Sequence, residues 1–232
     1  MAILDRGIKR GILIRLYTKM IHKFYVNDIW IDVRLAAKKE AVEYVLANMQ
    51  DAIVRRDRYE LLKFALGRAM PEGLVLEFGV EKGESIRVLA RNTDRIVYGF
   101  DSFEGLPADW RGTMETKGKF STKNRLPAAP SNVRFRVGWF DATLPQFLSE
   151  VKEKAAFIHI DCDIYESTRT VFDLMSDRIV NGTIIVFDEY FNYPGWRQHE
   201  FKAFQEFIRR SGKSYRYIGY SAEKGHVAVQ IA

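Results

Sequence analysis

Asp161 and Asp163 close the run Ile158-His159-Ile160-Asp161-Cys162-Asp163, and Asp188 and Glu189 close the run Val186-Phe187-Asp188-Glu189-Tyr190. They form the densest group of chemically capable side chains in the sequence. A single helical crossover separates the two runs, with Ser167 or Thr168 as its expected cap and Val171, Phe172, Met175 and Ile179 as its apolar face. As neighbouring strands their ends would lie about 4.8 Å apart. Carboxylates crowded in this way are costly unless they are protonated, paired with a base, or shared by a divalent cation with a taste for hard oxygen ligands. No Lys or Arg lies between Asp161 and Glu166, which favours a cation, Mg²⁺ first, on Asp161, Asp163, Asp188 and Glu189. The open alternative is that some of these acids hold a cofactor amino group or cap helices. His159, inside a strand with apolar neighbours, reads as a buried structural histidine ahead of a general base, and Cys162 as small packing.

Three further constellations precede the acids. Glu77-Phe78-Gly79-Val80-Glu81-Lys82-Gly83-Glu84-Ser85 leads from a strand into a helix, and its glycines permit a tight turn and close approach of a ligand to the helix N-terminus. The dinucleotide pattern G-x-G-x-x-G is absent, which argues against NAD or FAD; an acid followed by G-x-x-x-G is the S-adenosylmethionine pattern, with a plain structural turn as the alternative. Asp101, with Ser102 after it, ends a second strand in Gly99-Phe100-Asp101-Ser102-Phe103. An acid there can accept from both hydroxyls of a ribose, or else simply cap the loop. Trp139 and Phe140, in Gly138-Trp139-Phe140-Asp141, offer an adenine platform unless they are core aromatics.

The elements that must position these residues follow from the pattern. Runs at 73–80, 95–101, 132–138, 155–161 and 182–188 alternate with helical or irregular stretches, which implies a parallel sheet wrapped by helices. Residues 214–220 and 225–231 are separated too briefly for a parallel crossover, so they pair as a hairpin. The expected fold is therefore an α/β, doubly wound, seven-stranded, mostly parallel Rossmann-like sheet with an antiparallel C-terminal hairpin, an arrangement that by fold analogy resembles class I methyltransferases. Residues 1–70 read as a helical N-terminal arm or lid, with apolar spacing at Ile12, Leu16 and Met20 and again at Ala41, Tyr44, Val45, Met49 and Ile53. Residues 71–232 read as the cofactor-binding domain. Helices that do not extend a sheet must bury their stripe, so the arm is expected to cover the cofactor or mediate homo-oligomer formation.

With 232 residues, 47% of them apolar, the chain has material for a continuous core. One cysteine excludes a disulfide framework and suits a reducing, cytoplasmic setting. No apolar run reaches the roughly 20 residues of a spanning helix. The net charge of +6 sits almost wholly in residues 1–25, where Arg6, Lys9, Arg10, Arg15, Lys19 and Lys23 face only Asp5. A basic arm on a nearly neutral domain is not a nucleic-acid groove. Peripheral contact with an anionic membrane is conceivable for this stretch, though Gly7 and Gly11 interrupt its helical register.

VLEFGVEKGES, YGFDSFEGLP, GWFDATLP, HIDCDIYEST and VFDEY, in that order over residues 71 to about 210, resemble the macrocin O-methyltransferase family of S-adenosylmethionine-dependent enzymes. The resemblance implies a class I fold and methyl transfer to a hydroxyl, often on a sugar of a natural product, with magnesium in characterised relatives. By position it puts Glu77, Gly79, Gly83 and Ser85 on the methionine-end loop, Asp101 on the ribose, Trp139 and Phe140 near the adenine, and Asp161, Asp163 and Asp188 in the metal region. Glu189 stands where the family pattern has a second Asp. The segment Ala108 to Ser131 and the loop Tyr190 to Trp196 fall where acceptor specificity is set. The leading reading is thus an O-methyltransferase acting on a small-molecule or glycan acceptor, in which a divalent ion bound to the acceptor oxygen lowers its pKa, the carboxylates act as ligands of that ion, and one not bound to metal serves as base. Two others remain: a glycosyltransferase using Asp161-Cys162-Asp163 as a D-x-D clamp, and a non-catalytic assembly protein on a cofactor fold.

Overall fold

The computed structural model describes residues 12–19, 21 and 28–232. Eight strands, β1 (Ile53–Arg55), β2 (Leu74–Phe78), β3 (Val97–Asp101), β4 (Val133–Val137), β5 (Ala155–Ile160), β6 (Ile184–Phe187), β7 (Tyr215–Ser221) and β8 (Val227–Ile231), form one sheet in the order β1-β7-β8-β6-β5-β2-β3-β4. Only β8 runs against its neighbours, antiparallel to β6 and to β7. This is the doubly wound sheet with an antiparallel end that the alternating runs and the hairpin imply.

Six helices cover the sheet: α1 (Ile29–Asn48), α2 (Arg58–Leu66), α3 (Glu84–Arg91), α4 (Phe140–Glu150), α5 (Tyr165–Met175) and α6 (Glu200–Ser211). β2 and β5 are buried at every residue, as strands covered on both faces must be. Their alternate side chains enter two cores. Leu76, Phe78 and Ile158 meet Phe147 of α4, Phe172 of α5 and Phe207 of α6, whereas Val75 and Phe157 meet Leu61 of α2 and Leu89 of α3. Phe172 and Phe207 stack at 4.8 Å between ring centroids and lock α5 to α6.

Two expectations are corrected. Residues 1–70 are not all helical, because β1 adds an eighth strand parallel to β7, with Ile53 opposite Gly219 and Arg55 opposite Ser221. Once Met49 has closed α1, the β-branched pair Ile53-Val54 favours the extended form. A Cβ at Gly219 would lie 3.0 Å from the Ile53 carbonyl, so the small residue lets the edge strand come in. Second, α5 begins at Tyr165, ahead of the expected caps. Asp163 adopts a left-handed conformation (φ 63) that turns the chain early, and the Thr168 hydroxyl donates back to the Ile164 carbonyl within the first turn. Residues 12–19 and 21 are helical, while Met20, Gly7, Gly11 and most of the basic stretch lie outside the described residues. Among the described residues no helix is long and apolar enough to cross a membrane.

The carboxyl ends of the central strands finish level. Gly79 donates its N–H to the Phe100 carbonyl (2.9 Å), Asp161 to Phe78 (2.8 Å) and Asp188 to Ile160 (2.9 Å). The connections reverse direction between β5 and β2, and a ligand crevice opens at such a point. Gly79 sets its floor: at φ +91 a Cβ would stand 1.6 Å from the Asp161 carbonyl oxygen. Gly79→Ala should therefore cost about 2 kcal/mol or more through backbone strain and overpacking. A urea midpoint equal to that of the parent protein would show that the turn has room to spare.

Candidate active site

A cleft of about 500 Å³ opens above these strand ends. Gly79, Ser85, Asp101, Ser102, Trp139, Phe140, Asp161, Asp163, Asp188 and Glu189 all line it. Glu77 and Gly83 do not. Glu77 lies beneath the floor, fully buried, where it accepts from the Ser85 hydroxyl (3.2 Å) and meets His159 Nδ1 at 3.0 Å. Gly83 is buried in a left-handed turn (φ 74) that starts α3 without a side-chain cap, which leaves the first N–H groups of that helix open.

Asp101 staples the two loops of the cofactor side. Its Oδ2 accepts from the N–H groups of Val80 (2.7 Å) and Glu81 (2.8 Å), and its Oδ1 from Phe103 (2.7 Å). The capping role and a ribose role are compatible, because Oδ1 keeps a lone pair and the residue faces the cleft. Ser102 Oγ accepts from the Glu104 N–H (3.1 Å). Trp139 is 39% exposed, so its ring surface is available, while Phe140 packs edge-on against Phe78 at 5.4 Å.

The four acids come together as the strand ends require, but they are not without bases. Arg58, the first residue of α2, donates from Nη1 to Asp188 Oδ2 at 3.0 Å and lies 4.0 Å from Asp161. His226 Nδ1 carries the proton it donates to the Asp188 carbonyl (2.7 Å), and it lies 3.1 Å from Asp188 Oδ1. On the other side, His159 Nε2 stands 3.6 Å from Asp188 Oδ1, a charge pair longer than a hydrogen bond. The expectation of acids lacking a cationic partner is thus corrected: the partners arrive from α2 and from the β7–β8 hairpin. Arg58 is separated from Asp188 by 130 residues and carried no spacing signal. His226 was within reach of the hairpin argument, since it precedes Val227, the residue paired with Phe187.

These neighbours sort the acids by charge state. Burial opposes ionisation of Asp188, yet His226, His159 and Arg58 together hold it well below the usual carboxylate range. Burial and the charge on Asp188 raise Asp161 well above that range and push Asp163 up to about 7. Glu189 is raised well above its ordinary value by the same two causes. Burial also works against a charged His159, but Asp188 and Glu77 on either side push it up to about 10. Glu200, at the start of α6, is a fifth acid that the sequence did not reveal. It is fully buried, accepts from the Glu189 N–H (3.1 Å), and has a buried Oε1 without a partner.

Two triplets have the spacing of cation ligands: His159, Asp161 and Asp188, and Asp161, Asp163 and Glu189, with ligand atoms within 4.8 Å in each. The Glu189 Oε2 atom is buried and unpartnered, an orphaned acceptor that a cation would satisfy. The second triplet is all-oxygen, which fits a hard divalent ion, whereas His159, charged between Glu77 and Asp188, has no lone pair to offer. The far wall of the cleft is apolar. Leu106, Trp110 and Ile164 form a small buried cluster with Phe120 and Tyr193 against it, and Trp110 meets Tyr193 edge-on at 5.4 Å. The segment Ala108 to Ser131 and the loop Tyr190 to Trp196 are locked together there: His199 meets the Arg111 carbonyl at 2.8 Å, and a Cβ on Gly112 would lie 2.3 Å from the Pro194 carbonyl oxygen.

The chain is similar to known methyltransferases in sequence and in fold. Residues 76–190 match the model of a family described as a methyltransferase domain. A rhamnosyl-tetracenomycin C 4'-O-methyltransferase of Streptomyces olivaceus is 28% identical in a match covering 62% of this chain, which spans 64% of that relative's length. In fold, the chain is similar to the calicheamicin methyltransferase CalS11 (TM-score 0.60, 21% identity, 86% of this chain and 91% of that one). It is also similar to the O-methyltransferase NovP (TM-score 0.54, 21% identity, 75% and 78%).

Asp188→Asn should destabilise the protein by about 3 kcal/mol, because it leaves Arg58 and His159 facing a neutral amide in a buried setting; an unchanged denaturant midpoint would mean that these cations are compensated elsewhere. His159 gives a pH signature. Its folded value lies above the ordinary 6.5, so its contribution to stability is complete below pH 6.5 and is lost as pH rises toward 10. Unfolding free energies measured between pH 6 and 10 should fall in the parent protein and flatten in His159→Gln.

Proposed function

We propose, for a chain whose residues 76–190 belong to a methyltransferase-domain family, that it transfers the methyl group of S-adenosylmethionine to a hydroxyl of a sugar or sugar-bearing natural product, with a divalent cation, Mg²⁺ by preference, at the acids. The observation that carries this reading is the placement of the glycine turn, Asp101 and the acid cluster in one cleft, at the point where the sheet order reverses. The rhamnosyl substrate of the Streptomyces olivaceus relative favours a sugar acceptor.

A sulfonium methyl needs little activation, so the work of the chain is to align an acceptor oxygen with it and to remove a proton. Gly79 and the open first turn of α3 receive the methionine end, Asp101 the ribose, and Trp139 the adenine. In the ion-free site Asp163 is the base we assign: burial and the Asp188 charge bring it to about 7, matched to proton transfer near neutrality. With a cation present, Asp161, Asp163 and Glu189 would be its oxygen donors, with Asp188 beside them. A divalent ion held there would lower the pKa of an acceptor hydroxyl and fix its oxygen. The apolar wall of Leu106, Trp110 and Phe120 supplies the surface against which a sugar ring and its aglycone lie. Arg58 lines the cleft from outside the matched domain, and the exposed Leu13, Leu16 and Tyr17 offer a face for a second copy of the chain.

Transfer of labelled methyl from S-adenosylmethionine to a panel of deoxysugar glycosides and nucleotide-linked sugars tests the reaction; no incorporation into any hydroxylated acceptor would favour a non-catalytic role. Asp101→Ala should weaken binding of S-adenosylhomocysteine by about tenfold or more, the worth of a hydrogen bond to a charged acceptor, and calorimetry that finds equal affinity removes the ribose assignment. Rates should fall with chelator and return with magnesium. Full activity after exhaustive chelation would leave Asp163 acting as base without an ion.

A further inference from the structure

Nine carboxylates line the cleft, against three cations: Arg58, Lys82 and Lys224. The methionine end of S-adenosylmethionine brings a carboxylate of its own into this negative field, and it needs a fixed positive partner there. Lys82 is engaged with Glu81 at 3.0 Å, and its side chain is 73% exposed, mostly in water. Lys224 is exposed and sits by the acceptor wall, where its carbonyl accepts from Asn192.

Arg58 is placed otherwise. Asp57 caps α2 by accepting from the Tyr59 and Glu60 N–H groups, which fixes the backbone that carries Arg58. The guanidinium lies over the Tyr59 ring at 5.0 Å, and its side chain is 22% exposed. It spans the cofactor side of the cleft, with Nη1 on Asp188 and Nη2 3.8 Å from Glu84, the first residue of the helix after the glycine turn. Tyr59 donates to the same Glu84 carboxylate at 2.8 Å and ties the start of α2 to the start of α3. A guanidinium has five N–H donors, and Asp188 takes one of them at short range.

We propose that Arg58 binds the α-carboxylate of the cofactor, with the donors of its fork that Asp188 leaves free. The proposal rests on the S-adenosylmethionine reading above and adds a binding residue from outside the matched domain. It also gives the N-terminal part of the chain a chemical role in the cleft. A planar fork suits a carboxylate, and a lysine at this position would supply charge without the paired geometry.

The test is a cycle of variant against ligand, by calorimetry. One ligand is S-adenosylhomocysteine; the other is its decarboxylated form, the same thioether nucleoside with a 3-aminopropyl chain. The parent protein should prefer the first by about tenfold to a hundredfold. Arg58→Gln should lose that factor for S-adenosylhomocysteine and less than about twofold for the amine, so that the preference collapses. Arg58→Lys keeps a charge opposite Asp188 and should recover part of it; should the glutamine variant fail to fold, a several-fold loss confined to the carboxylate-bearing ligand in Arg58→Lys serves instead. Equal losses for both ligands, or a preference that survives the substitution, would overturn the assignment and leave Arg58 acting only through Asp188. Failure of the parent protein to bind either nucleoside would instead overturn the cofactor reading itself.

Discussion

A line of charge buried beneath the strand ends is what the rest of this architecture answers to. Glu77 and Asp188 are both almost wholly removed from solvent, on strands two apart in the sheet, and His159 on the strand between them faces both. Each carboxylate in such a place needs its counter-charge delivered by the fold, since the penalty for an unpaired buried ion is several kcal/mol. The parallel register supplies the first part by setting Glu77 opposite His159 and His159 opposite Val186, two residues before Asp188. The rest comes from Arg58 and His226, on elements that pack against β6 from different directions. Strand order, the cap on α2 and the antiparallel hairpin are therefore linked through one electrostatic requirement.

That requirement also divides the acids by role. Asp188 is surrounded by cations and stays ionised; Asp161, Asp163 and Glu189 look across at its charge and are pushed toward protonation. Chemically similar side chains within a few ångströms thus acquire different proton affinities, the usual way in which a site separates acid, base and ligand functions. The titrations of such close groups belong to the cluster as a whole.

How much of this was legible in the sequence depended on distance along the chain. Central strands announced themselves because strands covered on both faces are near-continuous apolar runs, as in LVLEF and AAFIHI. Residues at the ends of those strands were legible for the same reason, since strand order alone puts Asp161 beside Asp188. β1 was not, because three residues whose burial is decided by β7 carry no periodicity of their own. Arg58 and Glu200 were hidden in the same way: one lies 130 residues from its partner and the other looks like an ordinary first-turn helix acid. The early start of α5 escaped because a left-handed Asp is a local exception to backbone preference that only the surrounding packing explains. Glu77 and Gly83 belong to the loop motif, yet neither lines the cleft: Glu77 is buried beneath it against His159, and Gly83 starts α3 facing Pro127.

The parallel pairing of β1 with β7 has a consequence for how the chain matures. Residues 53–55 leave the ribosome about 160 residues ahead of the partner they need at 219–221, so in a growing chain this edge cannot settle until the hairpin has emerged. Contacts of such long sequence separation close late and slowly, after the local and central parts of the sheet have formed. Arg58 follows this strand by three residues, so its delivery to Asp188 is tied to the same late event. A nascent chain can therefore own a formed central sheet while Asp188 still lacks the guanidinium that neutralises it.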